Sequence, residues 1–196
     1  SGMSVALLDA AGDYAATIVS GANLQMDPAG LADEALWQDV GLLILQNEVK
    51  EALNIAAAAQ ARKRGVRTLL NAAPARVLSP ELVGLVDILV VNAVEAEMMG
   101  AGLVCDLPSA VVAAKGLAAR SGAVIVTAGS KGLAAVGRDQ QAFTVPAEKV
   151  RAVSSHGAGD AFIGALSAAL VQGAELQDAA KAASHAAALH VSGHAA

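Results

Sequence analysis

The stretch Gly157-Ala158-Gly159-Asp160-Ala161-Phe162 has the residue types and the spacing for phosphoryl transfer. It stands between a segment that reads as extended, 143–153, and an Ala-rich run, 161–171, that reads as a helix. Glycines at 157 and 159 let the backbone turn tightly and present bare N–H groups. Together with the positive end of a helix dipole, those groups make an anion site. Asp160 would stand beside the bound anion, where a carboxylate can take the proton of an attacking hydroxyl. The result is a cradle for developing negative charge next to a base for the nucleophile. The same residues also make an ordinary helix start in which Asp160 complements the dipole. Alone, so short a motif does not decide between the two.

Three further polar clusters follow apolar runs. Asn92 and Glu95 come after 87–91, as Asn-Ala-Val-Glu. On a first helical turn, an amide and a carboxylate three apart face one way. They could hold the water shell of Mg²⁺, which takes few direct protein ligands. The commoner use of this pattern is a helix cap, with Asn at the N-cap and Glu at the third position. Thr127-Ala128-Gly129-Ser130-Lys131-Gly132 comes after 123–126. Its glycines would let the backbone approach a nucleotide phosphate, or serve an ordinary turn. Gln46-Asn47-Glu48 comes after 41–45, and Glu48 either contacts substrate hydroxyls or starts the next helix. The histidines at 156, 185, 190 and 194 show no metal-ligand pattern. His185 and His190 are not placed as an i, i+4 pair on one helical face. His185 is a candidate for the wall of a ligand pocket.

These clusters need elements to position them. Residues 4–8 and 15–19 read as two strands joined by a turn at 9–13. A turn at 21–23 and a short helix over 31–37 follow. The apolar runs 41–45, 66–70, 87–91 and 123–127 have the pattern of strands buried on both faces. Between them lie helical segments at 48–64, 80–84, 95–99 and 107–120, with a loop at 71–79. Extended segments at 132–136 and 141–145 precede helices at 158–172 and 175–191. This alternation predicts an α/β fold in three layers, a mainly parallel central sheet with helices on both faces. In such sheets ligands bind beyond the C-terminal ends of the strands, where every polar cluster falls. The whole of 1–196 reads as a single domain.

Composition narrows the partners. The chain has 196 residues, 55% of them apolar, enough for a sizeable core. Aromatic residues make up 2%, too few for base-stacking platforms. A formal charge of -5 with no basic block argues against nucleic acid. The apolar runs are too short to span a bilayer, so no membrane partner is expected. A single cysteine, Cys105, rules out an internal disulfide framework and fits a reducing cytoplasm.

Taken in order, Asn92-x-x-Glu95, Thr127-Ala128-Gly129-x-x-Gly132 and Gly157-Ala158-Gly159-Asp160-Ala161-Phe162 resemble the ribokinase-like (PfkB) carbohydrate kinases. Leu70-Asn71-Ala72-Ala73-Pro74-Ala75-Arg76 is similar to a stretch of ribokinases themselves. The resemblance runs from about Val5 to Val191. It implies ATP- and Mg²⁺-dependent phosphorylation of a hydroxymethyl group on a small sugar, with a ribose-like pentose favoured. It makes Asp160 the catalytic base and the backbone of Gly157, Ala158 and Gly159 the anion hole. Asn92 and Glu95 would organise Mg²⁺ through water, and Asn92, Thr127, Gly129 and Gly132 would line the nucleotide. Segment 183–190, with Ser184 and His185, would wall the adenine, and Glu48 with Asp160 would contact the sugar. Segment 4–20 would be the remnant of a β lid, whose strands often pair between subunits in this family.

The chain also departs from the pattern. The N-terminal region that family members carry before the point matching Ser1 is absent. The chain is therefore either a fragment of a kinase or a shortened relative. Ser154 stands where the family usually has an Asp that helps to hold a monovalent cation, so a K⁺ site is weakened. A non-catalytic binding module of this fold, and a nucleoside or vitamin kinase, are the rival readings.

Overall fold

The computed structural model describes residues 3–8 and 14–193. The turn expected at 9–13 and His194 lie outside them. Strands β1 (Met3–Leu8) and β2 (Tyr14–Val19) pair antiparallel as a separate two-stranded ribbon. Six strands form the main sheet in chain order: β3 (Leu42–Gln46), β4 (Arg67–Asn71), β5 (Ile88–Asn92), β6 (Ala123–Thr127), β7 (Gly132–Val136) and β8 (Ala142–Pro146). Neighbours from β3 to β6 are parallel, while β7 and β8 each run antiparallel to the preceding strand. The sheet is thus mixed, with its parallel part at the four apolar runs.

Helices α1 (Glu51–Lys63), α2 (Pro80–Leu85), α3 (Ala93–Met98) and α4 (Leu107–Ala118) connect the parallel strands. They pack on one face, around Leu70, Leu89, Val91, Val124 and Val126. Helices α5 (Ala158–Val171) and α6 (Leu176–Val191) cover the other face, around Leu69, Ile88, Val90, Ile125 and Leu133. Alternate residues of β4 and β5 face the two cores, the period-2 arrangement of a sheet covered on both sides. Alanines at 110, 113, 114 and 118 on α4, and at 179, 180 and 183 on α6, are buried. Their small side chains bring the helices close to the sheet.

Three expectations need correction. Residues 31–37 do not form a helix. Two 3-10 turns, Pro28–Ala32 and Glu34–Trp37, stand there instead. Asp27 accepts from Ala29 N–H at 2.8 Å and Asp33 from Ala35 N–H at 3.0 Å, so each aspartate restarts the chain. The helix read over 48–64 begins only at Glu51. Residues 147–153 are not extended strand, since β8 ends at Pro146 and carries little of the apolar alternation further.

Candidate active site

Register aligns the ends of the parallel strands. Gln46 pairs with Asn71, and Asn92 with Thr127. The Gln46-Asn47-Glu48, Asn92–Glu95 and Thr127–Gly132 clusters therefore sit along one edge of the sheet. Helix α5 runs the opposite way. Arg67, which opens β4, donates from Nη2 to Leu170 O at 2.8 Å. A Cβ at Gly41, just before β3, would lie 3.0 Å from Val171 Cγ1. The C-terminal end of α5 thus lies at the starts of the strands. Its 14 residues span about 21 Å at 1.5 Å each. A strand of five residues spans about 17 Å. The N-terminus of α5, with Gly157–Asp160, is accordingly carried to the edge where the strands end.

Gly157 is the N-cap of α5 and has φ 79°, the left-handed conformation that glycine adopts without strain. The first four N–H groups of a helix lack internal partners. Ala158 N–H is partly used, donating to Ser155 O at 3.3 Å, whereas Gly157 and Gly159 have no backbone acceptor among the described residues. Asp160 is exposed in the first turn and makes no side-chain hydrogen bond or ion pair among the described residues.

Asn92 and Glu95 form the complete capping box of α3. Asn92 Oδ1 accepts from Glu95 N–H and Glu95 Oε2 from Asn92 N–H, both at 2.8 Å. Asn92 is exposed, but Glu95 is buried to 8% exposure. Burial raises the Glu95 carboxyl above the ordinary value, and the hydrogen bond from Asn92 N–H opposes that rise. The cap occupies one carboxylate oxygen only. An amide and a carboxylate at this edge suit water-mediated contact with a small hard cation, so the pair fits Mg²⁺.

Thr127 Oγ1 lies 3.5 Å from Val91 O, and Gly129 is exposed with φ 53°. Gly132 is different. It is buried with φ 111°, and a Cβ there would lie 2.1 Å from Val145 O. Its glycine is required by the β7–β8 contact. On α6, Ser184 is half-buried, and exposed His185 donates from Nδ1 to Glu148 Oε1 at 2.8 Å.

Glu48 is half-buried in the turn between β3 and α1. That turn is laced to the loop after β4. Asn47 N–H donates to Ala73 O at 2.9 Å and Asn47 Nδ2 to Pro74 O at 3.0 Å. Arg76 Nη1 donates to Val49 O at 3.0 Å and to Asn47 O at 3.4 Å. Sequence reasoning noticed Arg76 only as part of a motif. Its bonds to Asn47 and Val49 cross more than 25 positions of chain, which no local pattern reveals.

The residues around Ser154 offer a monovalent cation only neutral oxygens, a weaker site than one with a carboxylate. Ser154 is neutral, and its Oγ accepts from His156 N–H at 3.2 Å. His156 O accepts from His190 Nε2 at 2.8 Å. No carboxylate stands at position 154 to balance a cation.

Comparison with known proteins shows the family. The model for the pfkB family carbohydrate kinases matches residues 1–196. The chain belongs to the pfkB family of carbohydrate kinases. It is 34% identical to the ribokinase of Mus musculus over 170 residues, covering 85% of this chain and 53% of that protein. It is 35% identical to the deoxyribokinase of Salmonella typhi over 198 residues, covering 98% and 64%. The solved structure of Arabidopsis thaliana ribokinase complexed with ribose and ATP superposes with a TM-score of 0.84 at 26% identity, covering 97% of this chain and 62% of that one. The chain spans about half to two thirds of the length of the relatives it matches. In this pfkB chain the three ordered motifs all lie at the edge where the parallel strands end. No helix among the described residues is long and apolar enough to cross a membrane.

Proposed function

We propose that the protein transfers the γ-phosphoryl group of ATP to a hydroxymethyl group of a small sugar, with a ribose-like pentose as the favoured acceptor. The observation that carries this reading is the glycine turn and Asp160 at the head of α5, delivered to the same edge as Asn92, Glu95 and Thr127. Asp160 takes the proton of the sugar hydroxyl. The freed oxygen attacks the γ-phosphorus, the bond to the bridging oxygen breaks, and ADP leaves with that oxygen. The N–H groups of the Gly157–Gly159 turn stabilise the charge on the transferring group, a fixed array that needs no reorganisation. Asn92 and Glu95 would hold Mg²⁺, which would supply neutralisation of the phosphate charge. Thr127 and Gly129 border the nucleotide, and Ser184 and His185 wall its base. Glu48 and Asp160 grip the sugar.

A pentose is favoured because the relatives are named ribokinases and a deoxyribokinase, and because Leu70–Arg76 follows the ribokinase pattern. The β1–β2 ribbon serves as the lid remnant, and ribbon pairing between two copies would form a homodimer. A soluble cytoplasmic enzyme, acting on small molecules and not on nucleic acid, suits this chemistry.

The test uses the full-length natural chain with ATP, Mg²⁺ and a panel of pentoses, hexoses and nucleosides. Asp160→Asn should lower kcat by roughly 10²–10⁴, the usual contribution of a positioned base. Nucleotide affinity should stay within about twofold, because the N–H groups that bind phosphate are backbone. Near-normal turnover in that variant would refute the assignment.

A further inference from the structure

The glycine turn rests on the C-terminal turn of α6. Val191 O accepts from Val153 N–H at 2.7 Å and from Ser154 N–H at 3.3 Å. One residue earlier on the helix, His190 Nε2 lies 2.8 Å from His156 O. A carbonyl oxygen only accepts, so Nε2 must carry the proton and donate. The imidazole also lies against Gly157 itself: a Cβ on that residue would come within 2.9 Å of His190 Nε2 and 3.3 Å of its Cε1. His190 therefore touches the turn twice, by a hydrogen bond to the residue before Gly157 and by packing against Gly157 Cα. These contacts join positions 34 residues apart.

We infer that His190 is the positioning residue of the proposed anion hole. Its imidazole fixes the His156–Gly157 peptide, and so the direction in which the Gly157 N–H and the following first-turn N–H groups point. The inference rests on the phosphoryl-transfer reading of that turn. The physical need is clear. Residues 150–156 carry no regular secondary structure and are exposed, as is His190. An anion hole works only if its donors are held before the charge appears. The backbone bonds to Val191 O reach only Val153 and Ser154, and the side chain that reaches His156 and Gly157 from α6 is His190. His190 contacts His156 and Gly157 and acts through the turn.

The inference predicts a loss in kcat rather than in sugar affinity. Removing one supporting hydrogen bond and letting the turn drift should lower kcat by between about tenfold and about a hundredfold in His190→Ala. The sugar KM should stay within about twofold, because His190 contacts His156 and Gly157 and neither Glu48 nor the Asp160 side chain. His190→Gln keeps an N–H donor of similar reach and should recover most of the loss. Amide hydrogen exchange gives an independent reading. Exchange at 157–159 should quicken by about tenfold in His190→Ala and return near its original rate in His190→Gln. If the unmodified full-length chain phosphorylates none of the acceptors, the functional reading fails, while the exchange experiment still decides the role of His190. Unchanged kcat in His190→Ala, equal loss in both variants, or unchanged exchange at 157–159 would each overturn the inference.

Discussion

Glu95 is held in a buried capping box, and its acid strength follows from that position. Desolvation raises its carboxyl above the ordinary value of 4.5, with the bond from Asn92 N–H opposing. The native state therefore binds this proton more tightly than the unfolded chain does. Stability tied to Glu95 is present below pH 4.5 and declines as pH rises through the elevated native value. Glu95→Gln keeps an acceptor for Asn92 N–H and has no proton to lose. Urea unfolding across this range should show the unmodified protein losing stability relative to the Gln variant as pH rises, and parallel profiles would contradict it. Ser154 makes a second prediction. A site of neutral oxygens lacks the charge that strengthens cation binding, so K⁺ should change kcat less than about twofold. Saturable activation by K⁺ would show that another acid serves it. The candidate site was legible in part, for a reason of distance along the chain. Asn92 with Glu95, and Gly157 with Asp160, act within one helical turn, so their spacing shows in the sequence. Arg76 and His190 act across 27 or more positions. Arg76 also keeps buried Nε and Nη2 atoms without partners among the described residues, beside the unpartnered Asn47 Oδ1, an arrangement no motif announces.

At the level of elements, β7 and β8 depend on one backbone position. Gly132 has φ 111°, and its Cα faces Val145 O so closely that no side chain fits. Gly132→Ala should destabilise the fold by about 2–4 kcal/mol, from left-handed strain and overpacking together. Chemical denaturation would measure it, and a loss under about 1 kcal/mol would mean that β8 shifts aside at little cost. The four parallel strands were readable because a strand covered on both faces needs a continuous apolar run. Their helices were readable from stop signals such as Gly65 and from caps such as Asn92. Segment 31–37 was not, because its apolar residues fit a helical period while Asp27 and Asp33 cap their own turns. Glu48 was read as a helix start because nothing local shows that its turn is tied to the loop after β4.

Among the described residues, β3 is an edge of the main sheet, paired on one side only by β4. Ile44 is 47% exposed there. Beside it runs an apolar groove of about 520 Å³, lined by Met26, Leu31, Leu36, Leu43, Ile44 and Leu53. A parallel strand with a bare edge and an exposed apolar face invites association. The 196-residue chain alone should self-associate in sedimentation runs, and Ile44→Lys should weaken that association by roughly tenfold. A monodisperse chain at high concentration would contradict this. Trp37 stands at the same border. Its Nε1 donates to Leu31 O at 2.9 Å, and the Arg64 guanidinium lies 5.0 Å from its ring centroid. It is the only tryptophan in the sequence, half-buried on the segment that lines the groove. The protein thus carries its own optical reporter. Under excitation selective for indole, every emitted photon comes from this border, and a shift in colour on titration would register whatever settles on the open edge without any label being added.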